Sequence, residues 1–122
     1  MLDHIGFQVK DLEASRTFYL AALAPLGIGA AMEFGGHVGL GRDGKAQFWI
    51  SQGPAPASGL HLAFRARSRA EVDAFYAAAL AAGGRDSGGP GLRPHYHPNY
   101  YGAFAIDPDG HNIEAVCHSA AP

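Results

Sequence analysis

Two histidines and one glutamate have the types and spacing that could bind a metal ion. His4 and His61 lie at the same point of an internal repeat, and Glu114 lies in the last apolar stretch of the chain. Two neutral imidazoles and a carboxylate are ligands that a divalent metal accepts, and a set of three leaves positions open for water or substrate. These residues therefore predict an open metal site, which suits catalysis better than a closed structural site.

The alternation of side chains along the strands predicts that these three residues share one side of the sheet. In each of the three stretches one parity is mainly apolar, which suits packing on a helix, and His4, His61 or Glu114 has the other parity. A buried carboxylate at such a position needs a cation or hydrogen-bond donors beside it. A lone strand histidine is usually an exposed or hydrogen-bonded side chain, but two at equivalent positions beside an inward glutamate favour metal binding.

The repeat that places these histidines covers most of the chain. One shift without gaps superimposes the first strand and helix of the two copies. It takes His4 to His61, Phe7 to Phe64, Phe18-Tyr19 to Phe75-Tyr76, and Gly27 to Gly84. Internal repetition fixes an architecture, so we expect two equivalent modules.

Each module is predicted to fold as β-α-β-β-β. Asp11 is a candidate N-cap for the first helix, and Ser68 to Glu71 form a capping box for the second. Phe18-Tyr19 and Phe75-Tyr76 have the helical spacing of core residues. Strands are predicted at 2–9, 30–34, 37–41, 46–51, 60–66, 102–106 and 111–117, with a less regular segment at 85–101.

The 122 residues fit one domain. We expect module 1 at 1–53, a linker rich in Gly and Pro at 54–59, and module 2 at 60–118. The predicted class is α+β, with two βαβββ modules that form a curled mixed β-sheet, a half-barrel around the metal, and helices outside.

Composition and net charge indicate which classes of partner and which compartment to expect for this protein. The net charge is −2 and no run of Lys or Arg occurs, so nothing indicates a nucleic-acid or anionic membrane surface. Only 16% of the residues are charged, which predicts that a partner, such as a second copy, covers part of the surface. One cysteine, Cys117, excludes an internal disulfide, and the lack of a signal peptide or a long apolar segment indicates the cytoplasm.

A loop in module 2 carries candidate residues for substrate contact. Arg93, His95, His97 and Tyr100 lie on a segment braced by Pro and Gly, which predicts a binding edge or lid, although a merely solvated loop has the same composition. Proton transfer or contact with a substrate anion are the roles expected of them. His111, beside a turn, and His118, near the end of the chain, are predicted to be surface residues.

Module 1 is not expected to supply a second carboxylate. Alignment of the turn glycines, Gly44 with Gly110, puts Phe48 at the position of Glu114. A slip of one residue would bring Gln47 there instead, as a weak fourth ligand. The expected number of protein ligands is therefore three.

These residues resemble the vicinal oxygen chelate superfamily, which includes glyoxalase I, fosfomycin-resistance thiol transferases, extradiol dioxygenases and bleomycin-binding proteins. The resemblance extends over nearly the whole chain and is most specific at Asp107-Pro108-Asp109-Gly110-His111-Asn112-Ile113-Glu114. It implies paired modules around a divalent metal (Fe²⁺, Mn²⁺, Ni²⁺ or Zn²⁺), frequently in a homodimer, with the superfamily's ligands at His4, His61 and Glu114. The tyrosine that the dioxygenases and fosfomycin-resistance enzymes carry ten residues before the glutamate is replaced by Phe104, and Tyr100 is the nearby substitute.

The expected function is that of a metal-dependent enzyme, dioxygenase-like or a lyase or isomerase. Its small substrate would chelate the metal through two neighbouring oxygens, and the metal would act as a Lewis acid. The alternative is a metal-free binding protein of the bleomycin-resistance type. Its aromatic groove would be lined by Phe34, Trp49, Tyr96 and Tyr101.

Overall fold

Two modules with the same order of elements make up the fold. The computed structural model describes residues 1–56 and 59–121, so part of the linker expected at 54–59 lies outside the described residues. The first module contains β1 (Ile5–Val9), α1 (Leu12–Leu23), β2 (Gly29–Phe34), β3 (His37–Gly41) and β4 (Phe48–Gln52). The second contains β5 (His61–Arg65), α2 (Arg69–Ala81), β6 (Arg85–Leu92), β7 (Tyr101–Ile106) and β8 (Asn112–Cys117).

Both helices begin at the caps that the sequence predicts. The Asp11 carboxylate accepts a hydrogen bond from the backbone N–H of Ala14 at 3.2 Å. The Ser68 hydroxyl accepts one from the N–H of Glu71, whose carboxylate accepts from the N–H of Arg67 at 2.9 Å. These bonds satisfy donors that a helix leaves unpaired at its first turn, which is why the helices begin there.

The strands form two separate four-stranded mixed sheets, ordered β1-β4-β3-β2 and β5-β8-β7-β6, which do not close into a barrel. In each sheet the first strand pairs parallel with the last, and the remaining pairs are antiparallel. The segment expected to be irregular at 85–101 contains an eight-residue strand, β6. Its pairing with β7 is interrupted between Asp86 and Gly88 and again between Gly88 and Gly91. Because of these interruptions and the glycines, the sequence lacks the regular alternation from which a strand is predicted.

The helices pack against each other and share one hydrophobic core with the inner faces of both sheets. Phe18, Tyr19 and Phe75 are fully buried there, as their helical spacing predicts. Cys117 is a buried free thiol. Since the helices cover one face of each sheet, the opposite faces remain for binding.

The turn before β8 is held by a buried carboxylate. Asp107 is 4% exposed and accepts hydrogen bonds from the Tyr19 hydroxyl and from the backbone N–H groups of Asp109 and His111. The prediction that His111 is a surface residue is wrong, because its side chain is fully buried and its ring packs edge-on against Phe7. Turn residues are usually exposed, but this turn is folded inward onto Tyr19.

Within the described part of the chain we find no helix with the length and apolar character needed to cross a membrane.

Candidate functional site

Glu114 and His61 meet on the open face of the second sheet. Glu114 lies in β8 and is 2% exposed, and its Oε1 atom is 3.1 Å from Nε2 of His61 on the adjacent strand β5. The other ring nitrogen of His61, Nδ1, is 3.0 Å from the backbone carbonyl of Asn112. The predicted convergence of this imidazole and this carboxylate is therefore present in one module.

The chemistry of this pair fits a cation. Because a carbonyl can only accept, the contact with Asn112 places a proton on Nδ1 of His61 and leaves the lone pair of the neutral ring on Nε2. That lone pair faces a carboxylate oxygen, and a proton or a cation between the two atoms would make this contact attractive. A carbonyl that orients the far nitrogen is also the usual support of a metal-ligating histidine. Two of the three side chains predicted as ligands thus lie in contact with each other.

Tyr100 supplies a hydroxyl to the same carboxylate. Its O–H donates to Oε2 of Glu114, and burial, followed by this bond and the charge of Glu114, raises the pKa of the phenol above its ordinary value. Gly102 leaves the space for this contact, since a Cβ there would lie 3.1 Å from Oε2 of Glu114 and 3.2 Å from the Tyr100 ring. Phe104 is the residue of β7 that lies directly opposite Glu114. Tyr100 contacts Glu114 from the loop before β7.

Arg93 lies on the far side of Phe104. Its guanidinium carbon is 5.4 Å from the centre of the Phe104 ring, and its Nη2 donates to the carbonyl of Gly89 at 2.8 Å. His61 stacks at 6.2 Å from the same ring, with the two planes 25° apart. Phe104 therefore contacts both Arg93 and His61, and Glu114 lies beside His61 and Phe104.

The loop histidines do not contact Glu114 directly. Nε2 of His97 is 2.8 Å from Nδ1 of His118, and Nδ1 of His97 accepts from the backbone N–H of Asn99. The His97 ring also packs edge-on against Tyr100. His95 is exposed and packs on Tyr96. His118 is exposed as predicted, but its contact with His97 was not expected from the sequence.

His4 lies on the other sheet. Its Nδ1 is 2.6 Å from a carboxylate oxygen of Asp3, and the ring lines an open cavity of about 750 Å³. The rest of that cavity is formed by Gly6, Phe7, Gln8, Phe34, His37, Ala46, Trp49 and Ser51, all from module 1. Among the residues that the structure describes, no group of three or more His, Cys, Asp and Glu side chains is close enough to hold one metal ion. A single chain therefore does not bring His4 to His61 and Glu114.

The strand register identifies the counterpart of Glu114 in module 1. Glu114 pairs with Ala63 and Phe104, and the residue with the equivalent partners, Gly6 and Gly39, is Trp49. The expectation that Phe48 or Gln47 takes this position is wrong. Phe48 packs instead in the core against Tyr19 and Phe64, because aligning the turns by their glycines misplaced the strand by one residue.

The aromatic groove of the alternative function is only partly present. Phe34 and Trp49 pack together at 5.9 Å and line the cavity beside His4. Tyr96 packs on Tyr100 in the other module, and the Tyr101 hydroxyl donates to Asp73 of α2, on the helix side of the sheet. No pattern in the sequence indicated the stacking role of Phe104. The missing side chain at Gly102, two residues after Tyr100, was the available sign that Tyr100 could fold back over β7.

Comparison with known proteins agrees with the fold. No curated protein sequence matched. A glyoxalase/bleomycin resistance protein from Albidiferax ferrireducens superimposes with a TM-score of 0.84 at 34% identity, covering 98% of this chain and 99% of that one. A glyoxalase-related enzyme from Fulvimarina pelagi (TM-score 0.73, 23% identity, 96% and 87% covered) shares the fold. So does a glyoxalase/bleomycin resistance protein/dioxygenase family enzyme from Burkholderia phytofirmans (0.74, 18%, 96% and 98%).

The family assignment follows from the sequence as a whole, because one family profile matches nearly all of it. That profile covers residues 1–115, which include both modules and the strand that carries Glu114. The chain therefore belongs to the Glyoxalase/Bleomycin resistance protein/Dioxygenase superfamily.

Proposed function

We propose that this protein is a metal-dependent enzyme that acts on a small substrate with two neighbouring, metal-chelating oxygens. The observation that carries the proposal is the contact between Nε2 of His61 and the buried carboxylate of Glu114. Burying an ionised carboxylate is costly unless it is paired, and among the described residues no Lys or Arg forms an ion pair with it. A divalent cation (Fe²⁺, Mn²⁺, Ni²⁺ or Zn²⁺) would supply the missing charge.

The third ligand in this proposal, His4, comes from a second copy of the chain. His4 lies on the open face of the first sheet, and the pair of His61 and Glu114 lies on the open face of the second. If a homodimer lays the first face of one copy over the second face of the other, two equivalent three-ligand sites form by symmetry. Exposed apolar side chains support such burial, among them Met32, Phe34, Leu92 and Tyr96.

The bound metal would polarise the substrate oxygens as a Lewis acid. Tyr100 holds the Glu114 carboxylate so that Oε1 faces His61, and the raised pKa of its phenol keeps it protonated at neutral pH. It is therefore suited to donate a hydrogen bond, and not to act as a base. His95 and His97, on the same loop, are proposed for proton transfer at the rim of the site.

The reaction class in this proposal is dioxygenase-like, or that of a lyase or isomerase. Three protein ligands resemble the dioxygenase arrangement, whereas the small size of the chain favours the lyases and isomerases. Module 1 has no acidic residue at the position equivalent to Glu114, because Trp49 occupies it. The proposed ligand set therefore has three members and differs from a four-ligand site. Oxygen uptake with a panel of catechols, set against turnover of a hemithioacetal, separates the classes for each metal form.

Metal analysis tests the proposal directly. Protein purified without added metal or chelator, and then titrated with each of the four ions, is expected to bind one ion per chain with sub-micromolar affinity. His61→Ala and Glu114→Gln are expected to remove this binding, whereas His95→Ala, which changes an exposed loop histidine, retains it. Unchanged metal stoichiometry in the His61→Ala protein would refute the assignment.

A metal-free binding function is the second candidate. The cavity beside Phe34 and Trp49 favours it, because this aromatic pair is partly exposed and lies on an open sheet face. Trp49 is the one tryptophan of the sequence, so its fluorescence reports directly on this cavity. Quenching by bleomycin in metal-free protein, together with the absence of metal-dependent turnover, would establish this function in place of the enzyme.

A further inference from the structure

We infer that Arg93 binds an oxyanionic group of the substrate, so that the substrate carries a carboxylate or phosphonate-like anion in addition to its two chelating oxygens. This inference rests on the proposed metal site at His61 and Glu114 and names the class of substrate for that site. It is carried by the position of the guanidinium, by its unused donors and by the glycines that leave it room.

The guanidinium is held in one orientation. It lies over the Phe104 ring at 5.4 Å and donates from Nη2 to the carbonyl of Gly89. The contact with the ring and the hydrogen bond to Gly89 together restrict the guanidinium. Such restriction before a ligand arrives lowers the cost of binding one.

Most donors of this guanidinium are unused. An arginine carries five N–H donors, and within the described chain the hydrogen bond to Gly89 is the one its side chain makes. No carboxylate of the described residues lies within ion-pair distance of it, although the side chain is partly buried. A partly desolvated, unpaired guanidinium is the usual means of binding carboxylates and phosphates.

The glycines of β6 make the space for this side chain. A Cβ at Gly91 would lie 3.1 Å from Nη1 of Arg93, and one at Gly88 would lie 3.3 Å from Nη2 and 3.0 Å from the Phe104 ring. Gly88 also has a φ of 146°, which other residues rarely adopt. The glycines of this bulged strand are explained if Arg93 has to lie across it.

The position relative to the metal ligands gives the shape of the substrate. His61 stacks on Phe104, and Glu114 pairs with it across the strands. A substrate chelated at His61 and Glu114 would therefore reach Arg93 by passing over one aromatic ring, with its connecting carbons against Phe104. Short oxygenated acids have this arrangement of a chelating end, a small apolar middle and an anion.

Three hydroxamates test the inference, because each chelates a metal through two neighbouring oxygens. Acetohydroxamate is neutral, succinic monohydroxamate adds a carboxylate, and 3-phosphonopropionohydroxamate adds a phosphonate. Calorimetric titration of the zinc-loaded protein is expected to show at least about tenfold tighter binding of one anionic probe than of the neutral one. The tighter of the two anionic probes identifies the anion.

Substitution of Arg93 provides the decisive comparison. In Arg93→Met the preference is expected to fall to about twofold or less, while the affinity for acetohydroxamate is retained, because the charge-assisted hydrogen bonds are lost and the chelation is not. Arg85→Met, which removes an exposed arginine from the other end of the same strand, keeps the preference. In wild type, the Arg93 Nε–H resonance is expected to shift with the anionic probe and not with acetohydroxamate.

The contradicting outcomes are distinct. Equal affinities for neutral and anionic probes in wild type, or the same preference in wild type and Arg93→Met, would overturn the anion site while leaving the metal site intact. Weaker dimerisation of Arg93→Met with an unchanged preference would assign the guanidinium to an acidic group of a second copy and also overturn it. If acetohydroxamate does not bind and no zinc is retained, the proposed function itself fails.

Discussion

Trp49 occupies in the first module the sheet position that Glu114 occupies in the second. Each lies in the strand that comes last along the chain in its module, and across the neighbouring strand Trp49 faces Gly39 while Glu114 faces Phe104. In module 1 a large aromatic ring lies opposite a glycine, and in module 2 a carboxylate lies opposite an aromatic ring. The same backbone arrangement accommodates both pairs. The duplicated fold thus carries an aromatic side chain at this position in one half and a carboxylate in the other.

Gly39 is expected to be intolerant of even a methyl group. A Cβ there would lie 2.8 Å from the Trp49 ring and 2.7 Å from the Ala46 side chain. Gly39→Ala should therefore lower the free energy of unfolding by about 1–3 kcal/mol, the usual cost of overpacking. Gly29→Ala, with no atom within 4 Å of the added carbon, is the matched control for urea unfolding. Equal stability of the two variants would show that the Trp49 ring moves freely.

Removal of the Tyr100 hydroxyl should affect the metal-free protein more than the metal-bound one. Tyr100→Phe leaves one oxygen of the buried Glu114 without its donor, which costs about 1–3 kcal/mol of the free energy of unfolding. A bound cation compensates part of that loss. Urea unfolding with and without metal measures both values, and a double-mutant cycle with Glu114→Gln should give a coupling energy of about 1 kcal/mol or more. Strictly additive effects would show that the two groups do not interact in solution.

Subunit exchange decides whether one metal site uses two chains. His4→Ala and Glu114→Gln proteins are each expected to bind no metal. Mixed dimers, however, contain one site with all three ligands, so metal binding should return to about a quarter of the wild-type capacity after full exchange.

The matched control for this exchange mixes His61→Ala with Glu114→Gln. Both changes lie in the same half of the site, so no mixed dimer regains a complete ligand set. Recovery in this control, or none in the first mixture, would contradict the shared site.

Alkaline pH should destabilise the protein through Tyr19. Burial, and then the charge and hydrogen bond of Asp107, raise the pKa of this phenol in the folded chain well above its ordinary value of 10.0. The stabilisation is therefore complete below pH 10 and is lost as the pH rises further, by up to about 1.4 kcal/mol per pH unit. Tyr19→Phe is expected to be less stable at pH 7, and its deficit should narrow above pH 10. Parallel urea-unfolding results for the two proteins between pH 7 and 11 would contradict this.

The sequence by itself determined the architecture and two of the contacts at the site. The repeat required two like modules, the side-chain alternation put His61 and Glu114 on the same sheet face, and the caps at Asp11 and Ser68 set the helix starts. These features depend on local periodicity, which residue spacing records directly. The glycine-rich strand β6 was not predicted, because its bulges break that periodicity.

Only the tertiary structure decided how the modules are disposed and which loop residues reach the site. The spacing of residues along the chain does not specify the strand register, in which Trp49 and not Phe48 lies opposite Gly39. It also does not specify the turn that buries His111. The helices pack on each other, so His4 lies on a separate face from Glu114 within one chain. Loop side chains such as Tyr100 and Arg93 are aimed by contacts with distant strands, and those contacts exist only once the core has formed.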